Sequence, residues 1–337
     1  EPLMEVTQLS LGIVVALVLI ALVFDFMNGF HDAANSIATV VSTGVLKPHQ
    51  AVAFAAVFNF IAILVFQLKV AATVGKGIVE PGVLTLPAIT AAMSAIIVWG
   101  IIAAKFGIPV SKSHALLAGL AGAGLAGGGW AALQWSGWEK VGIGLVCSIL
   151  LGFLGAFLIG KAVIHFAGSM RPHRAKRMFD MLQIVSASAM AFNHGLNGGQ
   201  KFMGVFALTL LAGGVTKQFE IPIWVMLVCA MTMGLGTSFG GWRIIKTVGS
   251  KLTRIKSWQG FSAETSASMT IFGASQFGIP LSTTHTITTA IVGASASRRF
   301  GDVRYGVLAR IVLAWLVTFP FCAGIAYVAA RIANALW

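Results

Sequence analysis

Two segments of nearly the same sequence carry side chains suited to binding an anion. Residues 107–122 read GIPVSKSHALLAGLAG and residues 278–293 read GIPLSTTHTITTAIVG, 171 positions further along the chain. The proline of each segment lacks an amide N–H and disfavours helix in the residue before it, so one helix ends there and another begins. The free N–H groups and positive dipole end of a new helix attract anions. We therefore predict that jaw 1 (107–122) and jaw 2 (278–293) face each other around one tetrahedral oxyanion.

Hydroxyl groups supply the donors of this predicted site. They are Ser111 and Ser113 in jaw 1 and Ser282, Thr283 and Thr284 in jaw 2. The first serine of each jaw is placed to cap the new helix. Lys112 stands where jaw 2 has Thr283, so jaw 2 is predicted to be the richer hydroxyl set. The alternative is that the hydroxyls only satisfy a helix kink, but their recurrence in register favours the anion site.

A second duplicated pattern lies ahead of each jaw. Residues 28–35 read NGFHDAAN and residues 194–201 read HGLNGGQK, 166 positions later. On a helix Asn28, Asp32 and Asn35 share one face, because their spacings are four and three. An oxygen-rich cluster inside a predicted membrane segment suits a hard monovalent cation or a proton. Hydrogen bonding between helices is the structural alternative.

Two acids and four histidines also fall in predicted apolar segments. Glu264 is predicted to take part in cation or proton coupling, although it follows a basic stretch by only eight residues and could therefore lie at the membrane boundary. Asp25 is placed at the end of the apolar span 9–24 and given no role. The histidines, which either shuttle protons or act as hydrogen-bond partners in helices, are His31, His114, His194 and His285.

The composition indicates an all-α polytopic membrane protein. Of the 337 residues 57% are hydrophobic and 10% charged, and the mean hydropathy is +0.89, whereas soluble domains carry about 25% charged residues. At roughly 20 residues per crossing the chain has room for about 10–12 transmembrane segments, and helices pair their own backbone groups in lipid. The net charge of +13 resides mainly in short loops that orient the chain in the membrane, and indicates no nucleic-acid partner.

Loop charges predict that the two halves of the chain are inverted repeats. The first repeat is predicted over residues 8–166, a basic cytoplasmic loop over 167–180 and the second repeat over 181–335. The stretch 243–256 holds five basic residues, whereas its counterpart 70–87 holds one lysine. Under the positive-inside rule such loops lie on opposite sides of the membrane. Inverted repeats place a substrate site near the midplane, at broken helices from both halves.

The chain resembles the PiT family of inorganic phosphate transporters over both halves. The motifs that carry the resemblance are NGFHDAANSIATV (28–40), PVSKSH (109–114), HGLNGGQK (194–201), GFSAE (260–264) and PLSTTH (280–285). The resemblance implies a secondary active transporter, not an enzyme, that imports phosphate through the cell inner (plasma) membrane by alternating access, coupled to sodium or protons and without a cofactor. It also implies a homodimer of the compact prokaryotic type, in which re-entrant helical hairpins grip the phosphate.

The resemblance assigns roles to individual residues as well. It implies that the serines and threonines at the start of both jaws line the phosphate site. Apart from the resemblance, Asp32, Asn197 and Gln200 supply acceptors for the proton that phosphate itself carries, and Asn197 and Gln200 are predicted to bind phosphate. Asp32 and Asn35 correspond to a cation-binding signature and hold sodium if transport is sodium-coupled. Glu264 matches an acid that the family uses for transport.

One position departs from the family pattern. The second signature normally reads G-x-N-D, whereas here Gly198 follows Asn197 and supplies no acid. Lys201 stands where the first half has Asn35, and a lysine there repels a metal cation. This Gln-Lys ending is similar to that of bacterial members, which tend to couple to protons. Either the second cation site is degenerate or Gly198 is an engineered change.

Other functions remain open at the level of sequence. A sulfate permease needs only donors, because sulfate carries no proton at neutral pH, and a metal–phosphate symporter would use the same jaws. A non-transporting membrane receptor gives no reason for paired hydroxyl-rich breaks near the midplane. An enzyme is disfavoured, because the motifs contain no set of nucleophile, base and orienting group.

Overall fold

The chain is mostly helical in the part that a computed structural model describes, residues 2–65 and 68–336. These residues form no strand apart from an isolated bridge between Val79 and Leu133, as the composition predicts. The helices are α1 (Pro2–Ser42), α2 (Pro48–Val65), α3 (Lys69–Lys76), α4 (Leu86–Phe106), α5 (Lys112–Gly128), α6 (Trp135–Ala167), α7 (Pro172–His194), α8 (Gln200–Ala212), α9 (Ile223–Phe239), α10 (Trp242–Lys246), α11 (Ser257–Gln276), α12 (Thr283–Ala296) and α13 (Tyr305–Leu336).

The order of helices in the first half is repeated in the second. Helices α4 and α11 begin 171 residues apart, and so do α5 and α12. The counterpart of α1 is α7 together with α8, which are joined by a π-helical turn at Gly195–Gly199. Helices α2, α3 and α6 correspond in order to α9, α10 and α13. The opposite membrane orientation of the two halves stays a prediction.

Three stretches predicted as connections contain helix. The basic stretch 167–180 is a loop only up to Pro172, which starts α7, because a proline is tolerated in the first turn of a helix. Helix α3 occupies the beginning of the connection 70–87. Helix α10 and a π-helical turn at Thr247–Lys251 occupy most of the connection 243–256. Because these helices are short or begin with polar residues, hydropathy alone does not predict them.

Five helices in the described part of the chain are long and apolar enough to cross a membrane. They are Val15–Ser42, Leu86–Phe106, Lys112–Ala132, Trp135–Ala167 and Tyr305–Ala335. A sixth span results if α9 and the segment after it, bent by 61°, are one broken span. Helices α7 and α11 carry many polar side chains, so this count is below the about 10–12 segments that the length allows.

The jaws form the tight turns of two matching helical hairpins, α4–α5 and α11–α12. Gly107 and Gly278 follow the first helix of each hairpin, and both have a φ of +66°, a conformation that favours glycine. The amide of His114 donates to Ser111 Oγ over 3.1 Å, and the amide of His285 donates to the equivalent serine over 3.1 Å. The predicted helix breaks at the prolines and the predicted serine caps are confirmed.

Each hairpin is held by helices of the other half. Helix α5 packs against α13, and α12 packs against α6. Thr247, just after α10, donates its hydroxyl to the Gly107 carbonyl over 2.7 Å, and Thr73 of α3 donates to the Gly278 carbonyl over 2.8 Å. Next to these bonds, Arg243 Nη1 donates to the Lys105 carbonyl and Lys69 Nζ donates to the Gln276 carbonyl. The turn of each jaw is therefore fastened to a short helix of the opposite half.

Glycines allow the jaw helices to approach their neighbours closely. A Cβ added at Gly122 of α5 would lie 2.1 Å from the Ala323 carbonyl oxygen of α13. A Cβ added at Gly293 of α12 would lie 2.2 Å from the Phe153 carbonyl oxygen of α6. Small residues permit this backbone contact between membrane helices. The close packing fixes both jaws relative to the long helices behind them.

Candidate functional site

The first-half signature reaches the start of jaw 2. Asn35 Nδ2 on α1 donates to Thr283 Oγ1 over 3.2 Å and to Thr284 Oγ1 over 3.1 Å. All three side chains are buried. The sequence placed Asn35 among the cation ligands and the threonines among the anion ligands, and the structure brings these two groups into direct contact.

The second-half signature reaches jaw 1 in the same way, through a lysine. Lys201 Nζ on α8 donates to Ser113 Oγ over 2.6 Å and to the Leu281 carbonyl over 2.7 Å. Lys201 therefore touches both jaws, at the point where their helices start. From the sequence, this lysine was predicted only to repel a metal cation. Its alignment with Asn35 was the signal that it faces a jaw.

A second buried ammonium lies beside the jaws. Lys112, the first residue of α5, is 2% exposed, and its Nζ has no hydrogen-bond partner among the residues described. It points toward α4, since a Cβ added at Gly100 would lie 2.2 Å from Nζ. A buried charge without a partner is costly. The sequence indicated only that Lys112 replaces a hydroxyl, whereas in the structure it is a buried ammonium at the start of the jaw 1 helix, without a hydrogen bond among the residues described.

Asp32 contacts a histidine of the other half. Its Oδ2 lies 3.3 Å from His194 Nε2, and His194 Nδ1 lies 3.2 Å from Asn59 Oδ1. The imidazole is thus fixed between a carboxylate of α1 and an amide of α2. Both buried lysines also lie within electrostatic range of Asp32. One carboxylate and two ammonium groups consequently share the space around the jaws.

The ring of His194 also packs against Gly198, the position without the family acid. A Cβ added at Gly198 would lie 3.2 Å from His194 Nε2 and 3.4 Å from its Cε1. The ring therefore lies directly against this position. An aspartate at residue 198 would have to displace the ring that contacts Asp32.

The two amides predicted to bind phosphate are engaged with the hairpins. Asn197 Nδ2 donates to Ser275 Oγ over 2.8 Å and to the Ile279 carbonyl over 3.2 Å, so it holds the turn of jaw 2. Gln200 Oε1 accepts from the Val70 amide over 3.1 Å at the start of α3. These contacts use the amide nitrogen of Asn197 and the amide oxygen of Gln200. A direct contact of either side chain with phosphate stays a prediction.

Glu264, on α11, belongs to a second polar cluster, which lies near the C-terminal end of α1. Its carboxylate is fully buried and accepts from Gln183 Nε2 over 3.1 Å and from the Ser186 hydroxyl. Thr43 at the end of α1 donates to Gln183 Oε1 over 2.9 Å. Helix α11 thus places Glu264 in the interior between α7 and α1, and its depth in the membrane stays a prediction.

The polar face of α1 is buried from residue 25 to residue 39. Asn28, Asp32 and Asn35 are each less than 5% exposed, which agrees with the predicted common face. Asp25 is 1% exposed. Its interpretation as a residue at the end of a span is wrong, because α1 continues through it to Ser42. The apolar composition of residues 9–24 marked only part of this helix.

The jaw histidines pack against each other where the hairpins meet. The ring centroids of His114 and His285 are 4.6 Å apart, and His285 lies edge-on to Trp315 at 3.7 Å. Trp315 Nε1 donates to the Pro109 carbonyl over 3.0 Å. These contacts assign the pair a packing role. A proton-shuttle role for any of the four histidines stays a prediction.

One cavity of the structure lies away from the jaws. It has a volume of about 700 Å³ and opens where α1 ends, between α6, α7 and the start of α11. Basic side chains on its wall include Lys176, Lys256 and Arg298. The jaw residues are closed off from solvent, since Ser113, Thr284 and Lys201 are at most 6% exposed. The predicted anion site is therefore buried, and the basic cavity, lined by Lys176, Lys256 and Arg298, lies apart from it.

The chain is similar to known proteins in sequence and in fold. The phosphate transporter family matches the chain over residues 28–173 and again over 163–326. A probable low-affinity inorganic phosphate transporter of Rhizobium meliloti (strain 1021) is 47% identical over 316 residues, 94% of this chain and 95% of the relative. One of the same description from Bacillus subtilis (strain 168) is 40% identical, covering 98% of this chain and 100% of the relative. A solved structure titled the sodium-dependent phosphate transporter has a TM-score of 0.86 at 25% identity, covering 97% of this chain and 100% of that chain.

Proposed function

Since the chain belongs to the phosphate transporter family and is a multi-pass membrane protein, we propose that it carries inorganic phosphate across the plasma membrane by alternating access, coupled to protons. The observation that carries the proposal is the contact of Lys201 with both jaws. An ammonium, hydroxyls and two helix N-termini converge there, and all of them favour an anion. We infer that this anion is phosphate. Because the site is closed off from solvent, release of the anion requires the protein to open, as alternating access provides.

The buried lysines favour protons as the coupling ion. Lys201 occupies the position of a cation ligand in the second half, and Gly198 supplies no carboxylate. Around the jaws Asp32 faces two ammonium groups, and its Oδ2 is already paired with His194. A sodium ion entering this space would be repelled by the lysines, whereas a proton needs only a basic atom.

Sodium is the second candidate for the coupling ion. The solved structure that the fold resembles is of a sodium-dependent phosphate transporter. Asp32 and Asn35 supply oxygen ligands of the kind that a hard cation prefers. Uptake experiments with separate gradients distinguish the two ions.

The substrate site is more suitable for phosphate than for sulfate. The carboxylate of Asp32 lies beside it, and Asn197 Oδ1 is buried without a hydrogen-bond partner among the residues described. These oxygens can accept a hydrogen bond from the proton of hydrogen phosphate, which sulfate lacks. A metal–phosphate complex meets the same two lysines and is disfavoured for the same electrostatic reason as sodium.

The hydrogen bonds that fasten each jaw to the opposite half support alternating access. Thr73 and Thr247 tie each jaw turn to the opposite half, so a movement of one half carries the other half's jaw with it. Such coupled movement opens the site on one side while closing the other. We propose a homodimer of such chains, as the family resemblance implies.

The direct test is uptake of radiolabelled phosphate into proteoliposomes, with sodium and pH gradients imposed separately. We expect accumulation under an inside-alkaline pH gradient, little stimulation by a sodium gradient, and inhibition by arsenate. Absence of uptake under both gradients, or full inhibition by sulfate but not by arsenate, would refute phosphate transport. Accumulation that follows sodium alone would refute the coupling ion and leave the substrate in place.

The jaw hydroxyls provide a narrower prediction. Thr284→Val removes a hydroxyl at the start of α12, and Ser282→Ala removes one together with the helix cap. A hydrogen bond of this kind contributes about 0.5–1.5 kcal/mol, so we expect phosphate affinity to fall about three- to tenfold in either variant. Thr270→Val on α11, whose hydroxyl bonds only to its own helix, is the matched control. Affinity equal to wild type in both jaw variants would remove these hydroxyls from the site.

A further inference from the structure

Asp25 is a buried acid that the phosphate site does not use. Neither of its carboxylate oxygens has a hydrogen-bond partner among the residues described, and the side chain is 1% exposed. It lies outside the residues that match the phosphate transporter family, which begin at residue 28. An ionised carboxylate without a partner is very costly in an apolar interior. Burial at this position therefore favours a neutral carboxyl group, and an acid in such a place inside a membrane protein points to a proton site.

The surroundings of Asp25 exclude a metal cation. The neighbouring Phe24 packs edge-on against Phe202 with centroids 4.6 Å apart. The same apolar cluster contains Ala21, Cys229 and Met233. Hard cations require several oxygen ligands, and these neighbours supply none from their side chains. A proton requires no ligand shell, so it is the cation that this place accommodates.

Asp25 is connected to the phosphate site by a continuous polar stripe on α1. Asp25, Asn28, Asp32, Asn35 and Thr39 follow one another at spacings of three and four, and all are less than 5% exposed. Asp25 and Asp32 are thus separated by about 10 Å along the helix. Asn28 lies between them, with its Nδ2 unpaired among the residues described. The stripe ends at Thr39, which lies near Glu264 of α11. This end of α1 faces the basic cavity, whose wall includes Lys176, Lys256 and Arg298.

The charged groups of the neighbouring helices lie elsewhere. On α9 the titratable group near Asp25 is the thiol of Cys229. His31 and Asp32 on α1 form no hydrogen bond with Asp25. Among the residues described, neither do the other titratable groups on the helices packed against α1. They are Lys112, His194, Lys201 and His285 near the jaws; Glu264 near Thr39; Lys105, Arg243, Lys246 and Lys251 behind jaw 1; and His49, His173, Arg174, Lys176, Arg177 and Asp180 at the far end. No ammonium or guanidinium is therefore available to pair with Asp25.

We propose that Asp25 is the residue that carries the coupling proton, at a site separate from the phosphate site. In the occluded state its carboxyl is neutral. When the surrounding helices open to water the carboxyl ionises and releases the proton, and it must be protonated again before the stripe on α1 can be buried. The proposal rests on proton-coupled phosphate transport as proposed above. The positive-inside rule puts the basic cavity in the cytoplasm, so Asp25 lies toward the outer face.

The test compares two modes of transport in proteoliposomes at one fixed external pH. Net accumulation under an inside-alkaline gradient requires release of the proton, whereas exchange of internal for external phosphate does not. Asn mimics the neutral carboxyl, so Asp25→Asn is expected to lower gradient-driven accumulation at least tenfold and to keep exchange within about twofold of wild type. Asp25→Glu retains an ionisable group and is expected to restore accumulation. Glu139→Gln on the exposed face of α6 is the matched control.

The outcomes separate the two proposals. If the wild type shows neither accumulation nor exchange, phosphate transport itself fails. If Asp25→Asn accumulates phosphate as the wild type does, the proton site is not at Asp25. Equal loss of accumulation and exchange in folded Asp25→Asn protein also overturns the proposal, because it assigns Asp25 a structural role. If Asp25→Asn does not fold, Asp25→Glu decides: accumulation with an unchanged dependence on internal pH refutes the site, and a shifted dependence supports it.

Discussion

Replacing Lys201 with methionine is expected to weaken phosphate binding about 10- to 150-fold. Lys201 Nζ contacts Ser113 Oγ and the Leu281 carbonyl, so its ammonium lies at the junction of both jaws. Hydrogen bonds that involve a charged group contribute about 1.5–3 kcal/mol, and each 1.4 kcal/mol changes affinity tenfold. Methionine keeps the length of the side chain and removes the charge. Phosphate affinity, measured by titration calorimetry in detergent, gives the direct reading.

Thermal unfolding distinguishes a binding role of Lys201 from a structural one. A ligand that binds only the folded protein raises the melting temperature, and this phosphate-dependent rise is expected to shrink sharply in Lys201→Met. Without phosphate the variant is expected to be at least as stable as wild type, because a buried charge has been removed. Lys140→Met, at an exposed position of α6, is the control. A full phosphate-dependent rise in Lys201→Met would contradict a role in the anion site.

Restoring the family acid with Gly198→Asp is expected to lower phosphate affinity at least tenfold in the absence of sodium. The new Cβ would lie 3.2 Å from His194 Nε2, so the ring must move away from Asp32. Two like charges about 6 Å apart repel by roughly 3 kcal/mol at an effective dielectric constant near 20. The added carboxylate therefore opposes the phosphate and offsets the charge of Lys201. The same change gives sodium a second anionic ligand, so sodium is expected to stimulate uptake in this variant.

Gly198→Ala is the control for the acid, because it adds the Cβ without a charge. We expect it to retain phosphate affinity within about threefold and to remain insensitive to sodium. Initial rates of uptake with and without sodium at constant ionic strength compare the three proteins. Equal affinity in Gly198→Asp and Gly198→Ala would show that charge at residue 198 does not act on phosphate.

The hairpins and their caps were predictable because they depend on local chemistry. The proline of each jaw, the serine two residues later and the glycine at the turn define a helix break without reference to the rest of the fold. Duplication of the jaw also revealed that two such ends belong together. Burial of Asn28, Asp32 and Asn35 on one face followed from their spacing alone.

The electrostatics of the site were not predictable, because they depend on contacts between the halves. Lys201 lies 88 positions from Ser113, and His194 lies 162 positions from Asp32. No local pattern indicates which helix a side chain will meet. Asp25 was misplaced for a related reason, since hydropathy ends the apolar span at Phe24 whereas the helix continues to Ser42.

The threonine bonds to the two jaw turns have a consequence for how the protein is assembled. Thr247 of the second half holds the turn at Gly107, and Thr73 of the first half holds the turn at Gly278. Either half alone would have a hairpin whose turn lacks its threonine bond, and a threonine whose partner carbonyl is missing. A complete site consequently forms only when both halves fold together, because each half holds the jaw turn of the other in place.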